Sequence, residues 1–68
     1  MFIPTAQETR ILEFLKQENA PHSEAGIANA LSADRPTLSA IEGCAAKGFL
    51  KKDAAGNYVL TDAGKRAL

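Results

Sequence analysis

Apolar residues recur at helical spacing in the first third of the chain. Ile11, Leu12 and Leu15 form a stripe, with charged side chains between and after them. Thr5 and Glu8 form the T-x-x-E pattern of a capping box, which indicates where a helix begins. The sequence NAP then ends the helix, because proline cannot continue it and restricts the residue before it. The pattern therefore predicts a first helix between Thr5 and this NAP segment.

Two further helices are predicted downstream. Ser23 precedes the segment EAGIANAL and is expected to cap a second, short helix. After the turn SAD, a third helix is predicted from about Arg35, with Pro36 tolerated in its first turn. This helix is expected to end near Gly48, because glycine is the usual residue just past a helix C-terminus.

The third helix presents few large polar groups. If Leu38, Ile41 and Ala45 face the core, a rotation of about 100° per residue turns the intervening positions outward. The predicted outward line is Pro36, Ser39, Ala40, Gly43 and Lys47. A glycine inside a helix costs about 1 kcal/mol relative to alanine. Gly43 therefore indicates either a close approach of another group or a position that simply tolerates glycine.

The last third of the chain has the sequence pattern of short β-strands instead of helices. FLKKD and YVLT are short β-like runs on either side of AAGN, and the Gly-Asn pair predicts a hairpin turn. Thr61 is expected to cap a final helical stub, DAGKRAL. The predicted fold is α+β and mostly helical, in a single domain over 1–68. The predicted core consists of Ile11, Leu12, Leu15, Ile27, Leu31, Leu38, Ile41, Phe49, Leu50, Tyr58, Leu60 and Leu68.

Length and charge restrict the function only partly. The chain has 68 residues and no net charge, which is unusual for a protein that binds nucleic acid. The charges are unevenly distributed, however. Residues 1–33 contain two cations and four carboxylates, whereas residues 34–68 contain six cations and four carboxylates. No secretory segment and no apolar run of about 20 residues is present, so the expected compartment is the cytoplasm, with no membrane partner.

The element order and several motifs resemble a winged helix-turn-helix domain. The helix-turn-helix part corresponds to about 23–48, and the wing, FLKKDAAGNYVL, to about 49–60. The tail YVLTDAG is similar to the Leu-Thr-x-x-Gly stretch that follows the wing in bacterial regulators of the MarR and related groups. The resemblance covers nearly the whole chain. It implies a short strand at about Pro21–His22 that pairs with the hairpin, a third helix in the major groove and a wing on the DNA backbone or minor groove.

The resemblance implies a transcriptional regulator that binds duplex DNA. The expected DNA-binding residues are Arg35, Thr37, Ser39, Lys47, Lys51 and Lys52. Few of them can form the bidentate contacts that identify a base, so the third helix is expected mainly to position the domain. Two alternatives stay open: the lysines can serve as a solvated hairpin edge, and Arg35 can pair with Asp34 or Glu42.

Winged-helix regulators usually bind as dimers. The sequence given ends at Leu68 without the long C-terminal dimerisation helix of MarR-type regulators. The apolar residues with no assigned partner are Met1, Phe2 and Ile3, together with Phe14. We therefore expect a homodimer formed by the N-terminal segment and the first helix.

Catalysis and metal binding are not expected. The sequence has one cysteine, Cys44, and one histidine, His22, whereas a structural zinc site needs four such ligands. It also lacks a glycine-rich phosphate loop, so no cofactor is expected. Cys44 is expected to be a small buried residue, with redox sensing as the alternative.

A second functional class fits the neutral charge better. In this alternative the same fold is a protein-interaction module. The smooth face of Ser39, Ala40 and Gly43 would then accept a helix or a loop of a partner protein.

Overall fold

The computed structural model describes residues 3–68. Its elements are α1 (Ala6–Glu18), α2 (Glu24–Leu31), α3 (Arg35–Ala46), β1 (Leu50–Lys52), β2 (Tyr58–Leu60) and α4 (Asp62–Arg66). The predicted α+β fold is confirmed: three helices precede an antiparallel hairpin and a short C-terminal helix. This layout is compatible with a winged-helix domain. Within residues 3–68, no helix has the length and apolar character needed to cross a membrane.

The helices begin where the sequence places their caps. The Thr5 backbone N–H donates to Glu8 Oε1 at 2.9 Å, and the Glu8 N–H donates to Thr5 Oγ1 at 3.2 Å, so both halves of the capping box form. Ser23 and Thr61 each accept the backbone N–H three residues along the chain, both at 3.0 Å. The three predicted N-caps are therefore confirmed. The fourth cap is Asp34, which precedes α3.

Helix α1 ends at Glu18, directly before the NAP segment, and its C-cap is Asn19 rather than the proline. Asn19 adopts a left-handed backbone conformation, with φ of 51°, and its N–H donates to the Leu15 carbonyl at 2.9 Å. Asparagine tolerates this conformation better than most residues. The last helical residue, Glu18, therefore lies three positions before Pro21.

The short third strand implied by the resemblance is present as one bridge. His22 and Tyr58 exchange both backbone hydrogen bonds, at 3.1 and 2.7 Å, in antiparallel orientation. Strand β2 consequently lies between β1 and His22. This arrangement attaches the connection between α1 and α2 to the hairpin.

The hairpin forms as predicted, but its turn differs. Leu50 pairs with Leu60 and Lys52 pairs with Tyr58, which leaves a connection of five residues from 53 to 57. Asp53 organises this connection, because its Oδ1 accepts the backbone N–H groups of Ala55 at 2.9 Å and Asn57 at 3.0 Å. Gly56 and Asn57 therefore form the end of a longer connection, in which Gly56 adopts a positive φ of 83°.

The core occupies the space between α1, α2, α3 and the hairpin, each of which contributes buried residues. Its buried apolar residues are Ile11, Leu12, Leu15, Ile27, Ala28, Ala40, Ile41, Cys44, Phe49, Leu50 and Tyr58. Three predicted core residues, Leu31, Leu38 and Leu60, are only partly buried against this cluster. Leu68 was predicted to be in the core, and this is wrong, since 40% of its surface is exposed.

Helix α3 is rotated relative to the predicted orientation. Ile41 is buried as expected, but its buried neighbours are Thr37, Ala40 and Cys44. Leu38 and Ala45, predicted to face inward, are half-buried. The small side chains of Ala40 and Cys44 fill the interior side of the helix, where larger groups would hold the neighbouring elements farther away.

Candidate nucleic-acid interface

One side of α3 is exposed to solvent, and its residues recur every three or four positions, as expected for one face of a helix. Arg35, Ser39 and Glu42 are exposed, and Pro36 and Ala46 extend the same side. Arg35 and Ser39 therefore lie where the DNA-binding prediction needs them. Glu42 places a carboxylate in the middle of this side, and a carboxylate repels phosphate. Within residues 3–68, Arg35 forms no ion pair, so the predicted alternatives with Asp34 and Glu42 are not seen.

Thr37 does not belong to the exposed side of α3. Only 3% of its surface is accessible, and its backbone N–H donates to the Asp34 Oδ1 atom at 3.0 Å. This bond is the cap of α3, and it lowers the pKa of Asp34 below its usual value. The predicted contact between the Thr37 side chain and DNA is therefore corrected: the side chain packs inward because α3 is rotated.

The Lys47 side chain is directed toward Glu8 of α1 and not toward the exposed side of α3. Its Nζ donates to Glu8 Oε1 at 2.7 Å and lies 3.4 Å from the Ile3 carbonyl oxygen. Burial by itself would raise the pKa of Glu8, but the hydrogen bonds from Lys47 and from the Thr5 backbone outweigh it and lower the pKa. The carboxylate is thus ionised at neutral pH and neutralises the lysine. Lys47 contributes little free positive charge to the α3 surface.

Gly43 provides the space in which the Glu8 carboxylate lies. A Cβ atom at position 43 would overlap Glu8 Oε2, and apart from the adjacent residues and backbone of α3 the atoms within 4 Å of that site belong to Glu8. Glu8 itself is 5% exposed. Of the two explanations for Gly43 offered by the sequence, close approach is the one observed. The approaching group is a carboxylate from α1.

The face proposed for a protein partner is not continuous. Ser39 is exposed, but Ala40 is 8% exposed and belongs to the core. Gly43 is covered in part by Glu8. The smooth face of Ser39, Ala40 and Gly43 is therefore corrected, since Ala40 is buried in the core and Gly43 is covered in part by Glu8.

The hairpin lysines are exposed as predicted. Lys51 pairs with Val59 and Lys52 with Tyr58 across the hairpin. Successive residues of a strand point to opposite faces, so the two ammonium groups leave the hairpin on different sides. Lys52 Nζ lies 5.3 Å from the centroid of the Tyr58 ring, within the range of a cation–π contact. In the described part of the chain, neither lysine has a carboxylate partner.

Cys44 is a buried packing residue. Its Sγ is fully buried and lies 3.8 Å from the Glu8 backbone carbonyl. Burial, and then the nearby Glu8 charge, raise the pKa of the thiol to about 12. Because the thiolate is the reactive form, this environment does not favour redox sensing. No group of three or more His, Cys, Asp or Glu side chains in residues 3–68 is arranged to hold a metal ion.

The Leu-Thr-x-x-Gly stretch has a clear structural role at the base of the hairpin. Thr61 Oγ1 donates to the Gly48 carbonyl at 2.6 Å and also caps α4. Gly64 packs directly against the Phe49 carbonyl, where a Cβ atom would clash with backbone and with Leu60. The motif therefore fixes α4 against the start of β1. This role is structural and does not identify a ligand.

Comparisons with known proteins leave the family open. No family model matches the chain, and no curated protein or solved structure matches it at a significant level. Sequence reasoning missed the part played by Glu8 beyond the cap, and the only signal for it was the glycine inside α3.

Proposed function

We propose that this domain binds duplex DNA through the exposed side of α3 and the hairpin. The observation that supports the proposal is the pair of exposed, unneutralised lysines on a hairpin that follows a helix-turn-helix arrangement. The His22–Tyr58 bridge adds to this support, because it supplies the short strand expected of a winged helix. Four residues form the proposed contact set: Arg35, Ser39, Lys51 and Lys52. Thr37 and Lys47 are omitted for the reasons given above.

The contact set favours weak binding that depends on the DNA backbone. Three cations per chain, Arg35, Lys51 and Lys52, give a slope of log K against log salt no steeper than about −3, at about −0.9 per phosphate contact. Ser39 is the one uncharged polar residue of the set, and a single hydroxyl discriminates poorly between bases. We expect a dissociation constant near the non-specific range of about 10⁻⁴–10⁻⁶ M for a single chain.

The test is a fluorescence anisotropy titration onto mixed-sequence duplex between about 50 and 200 mM salt, a range in which phosphate contacts change affinity strongly. Lys51→Gln with Lys52→Gln should weaken binding and flatten the salt slope by up to about two units. The matched control is Lys16→Gln with Lys65→Gln, which removes the same charge from exposed positions outside the contact set. If wild type binds no duplex at low salt, or if both double variants lose the same affinity, the proposed interface is wrong.

Glu42 offers a second, opposite test. Because this carboxylate lies on the exposed side of α3, Glu42→Gln should strengthen DNA binding by about two- to five-fold at low salt, as expected for removing one nearby like charge in water. Glu13→Gln removes an equivalent charge from the exposed surface of α1 and should change affinity less. Equal effects of the two substitutions would mean that the exposed side of α3 does not contact the DNA.

A protein-interaction role is the second candidate, and Glu42 is the observation that favours it. A helix face with one cation and one anion suits a mixed-charge protein surface better than phosphate. With Ala40 buried, such a partner would contact Arg35, Ser39, Glu42 and Ala46 instead. Absence of salt-dependent DNA binding in the titration above, with the fold intact, would favour this candidate.

A further inference from the structure

A groove of about 470 Å³ opens on the side of the domain formed by the end of α1, β2 and α4. Its apolar lining includes the buried Leu15 and the half-buried Val59 and Leu60, and Ala20 and Pro21 form one wall. This volume lies in the range of about 300–1,000 Å³ that is typical of ligand-binding pockets. None of these residues belongs to the contact set proposed for DNA.

The rims of the groove are positively charged. Lys16 on α1 and Lys65 on α4 line it, and no carboxylate is among the lining residues. Both lysines are exposed, and within residues 3–68 neither forms an ion pair. An occupant with an apolar centre and negative charges at its ends would complement this surface.

The edge of β2 borders the same groove. Tyr58 directs both its N–H and its carbonyl to His22, away from β1. Backbone groups alternate in direction along a strand, so the N–H and carbonyl of Leu60 point to the same side, where Ala20 and Pro21 line the groove. The backbone hydrogen bonds of residues 3–68 outside the regular helices and strands include none to Leu60. The antiparallel register of the His22–Tyr58 bridge sets Ala20 opposite Leu60, so the chain itself flanks this edge, and an occupant can enter the groove but cannot add a strand.

We propose that this cation-rimmed groove binds a short, extended, acidic segment of a partner protein. The segment lies extended along the groove and is not an additional strand of the sheet. An apolar side chain of the segment packs on Leu15 and Val59. Acidic residues on either side of it face Lys16 and Lys65.

The probe is an acetylated and amidated peptide with the order aspartate, valine, leucine, valine, aspartate, which spans about 17 Å when extended. Two control peptides replace either the aspartates with lysines or the three central residues with serines. Binding is followed by two-dimensional ¹H–¹⁵N spectra of the full chain. The acidic peptide should shift the amide signals of Lys16, Leu60 and Lys65, which line the groove, and both control peptides should bind at least about five-fold more weakly.

Two variants test the groove from the protein side. Lys16→Gln with Lys65→Gln should weaken peptide binding by about five-fold, which corresponds to the loss of two exposed ion pairs. Ala20→Phe should abolish binding by filling the groove, and because Ala20 is exposed the fold should be retained, as an unchanged thermal melt would verify. The matched control, Lys51→Gln with Lys52→Gln, removes the same charge from the hairpin and should leave peptide affinity within two-fold.

Several outcomes would overturn the proposal. Equal binding of the lysine and aspartate peptides would remove the electrostatic argument, and equal losses from the two double variants would indicate general charge attraction. Peptide-induced shifts outside the groove would place the site elsewhere. If duplex DNA shifts the Leu60 and Lys65 signals and the peptide does not, the rim lysines serve nucleic acid. Because DNA binding is tested through Lys51 and Lys52, failure of either proposal leaves the other standing.

Discussion

The effect of Gly43→Ala on stability should change sign with the residue at position 8. Alanine is favoured over glycine inside a helix by about 1 kcal/mol. In this protein, however, the added methyl group would displace the Glu8 carboxylate, which accepts bonds from Lys47 at 2.7 Å and from the Thr5 backbone at 2.9 Å. A hydrogen bond to a charged group contributes about 1.5–3 kcal/mol. Gly43→Ala should therefore destabilise the protein by about 1–2 kcal/mol.

Removal of the carboxylate should reverse this result. In a Glu8→Ala background, no atom beyond the adjacent residues and backbone of α3 lies within 4 Å of the new Cβ, so Gly43→Ala should stabilise the protein by about 1 kcal/mol through helix propensity alone. Urea unfolding of wild type, both single variants and the double variant gives the coupling, which we expect to be about 2–3 kcal/mol. The dependence of the unfolding free energy on urea should stay constant across the four proteins.

The reasoning is refuted if Gly43→Ala stabilises both backgrounds to the same extent, because the carboxylate would then not occupy the space above the glycine. Equal destabilisation in both backgrounds would instead mean that another group occupies it. Ala30→Gly provides a control at an exposed position of α2. It should cost about 1 kcal/mol whichever residue occupies position 8.

Four further predictions concern stability and assembly. The stability contributed by Glu8 is present above its ordinary pKa of 4.5 and is lost as the pH falls through the lowered folded-state pKa, so Glu8→Gln should flatten the acid limb of a plot of unfolding free energy against pH. Gly64→Ala should destabilise by about 1–3 kcal/mol in urea melts, because the methyl group would meet the backbone before β1. Ile41→Ala should cost about 2–5 kcal/mol and the half-buried Leu38→Ala clearly less; equal costs would contradict the observed rotation of α3. Deletion of residues 1–3 should reduce the mass measured by light scattering from dimer to monomer, and a monomer before deletion would end the dimer hypothesis.

The dimer hypothesis rests partly on residues outside the described part of the chain. Met1 and Phe2 lie outside residues 3–68. Ile3 is 78% exposed. Phe14, in contrast, is partly buried against the core and its ring lies 5.0 Å from the His22 ring. The apolar surface available for self-association is therefore smaller than the sequence indicated.

Local signals in the sequence were sufficient to place the elements. Thr5, Ser23 and Thr61 mark helix starts because a cap bonds to a backbone group only three residues away. The hairpin followed from two short β-like runs with a glycine between them. The same locality explains why Lys51 and Lys52 were correctly predicted to be exposed: consecutive charged residues next to a turn have no apolar surface to cover.

Contacts between residues that are distant in the sequence decided the rotation of α3 and the composition of the interface and the groove. The apolar residues of α3 cover a wide arc, so periodicity alone allowed a stripe through Leu38 and Ala45 as readily as one through Ala40 and Cys44. Packing against α1 selected the second stripe, because small side chains let the two helices approach. The same approach brings Glu8 to Lys47, a partner 39 positions away, and so takes a predicted DNA contact out of the interface. The cation-rimmed groove likewise exists only where α1, β2 and α4 meet, since no short stretch of sequence contains its residues.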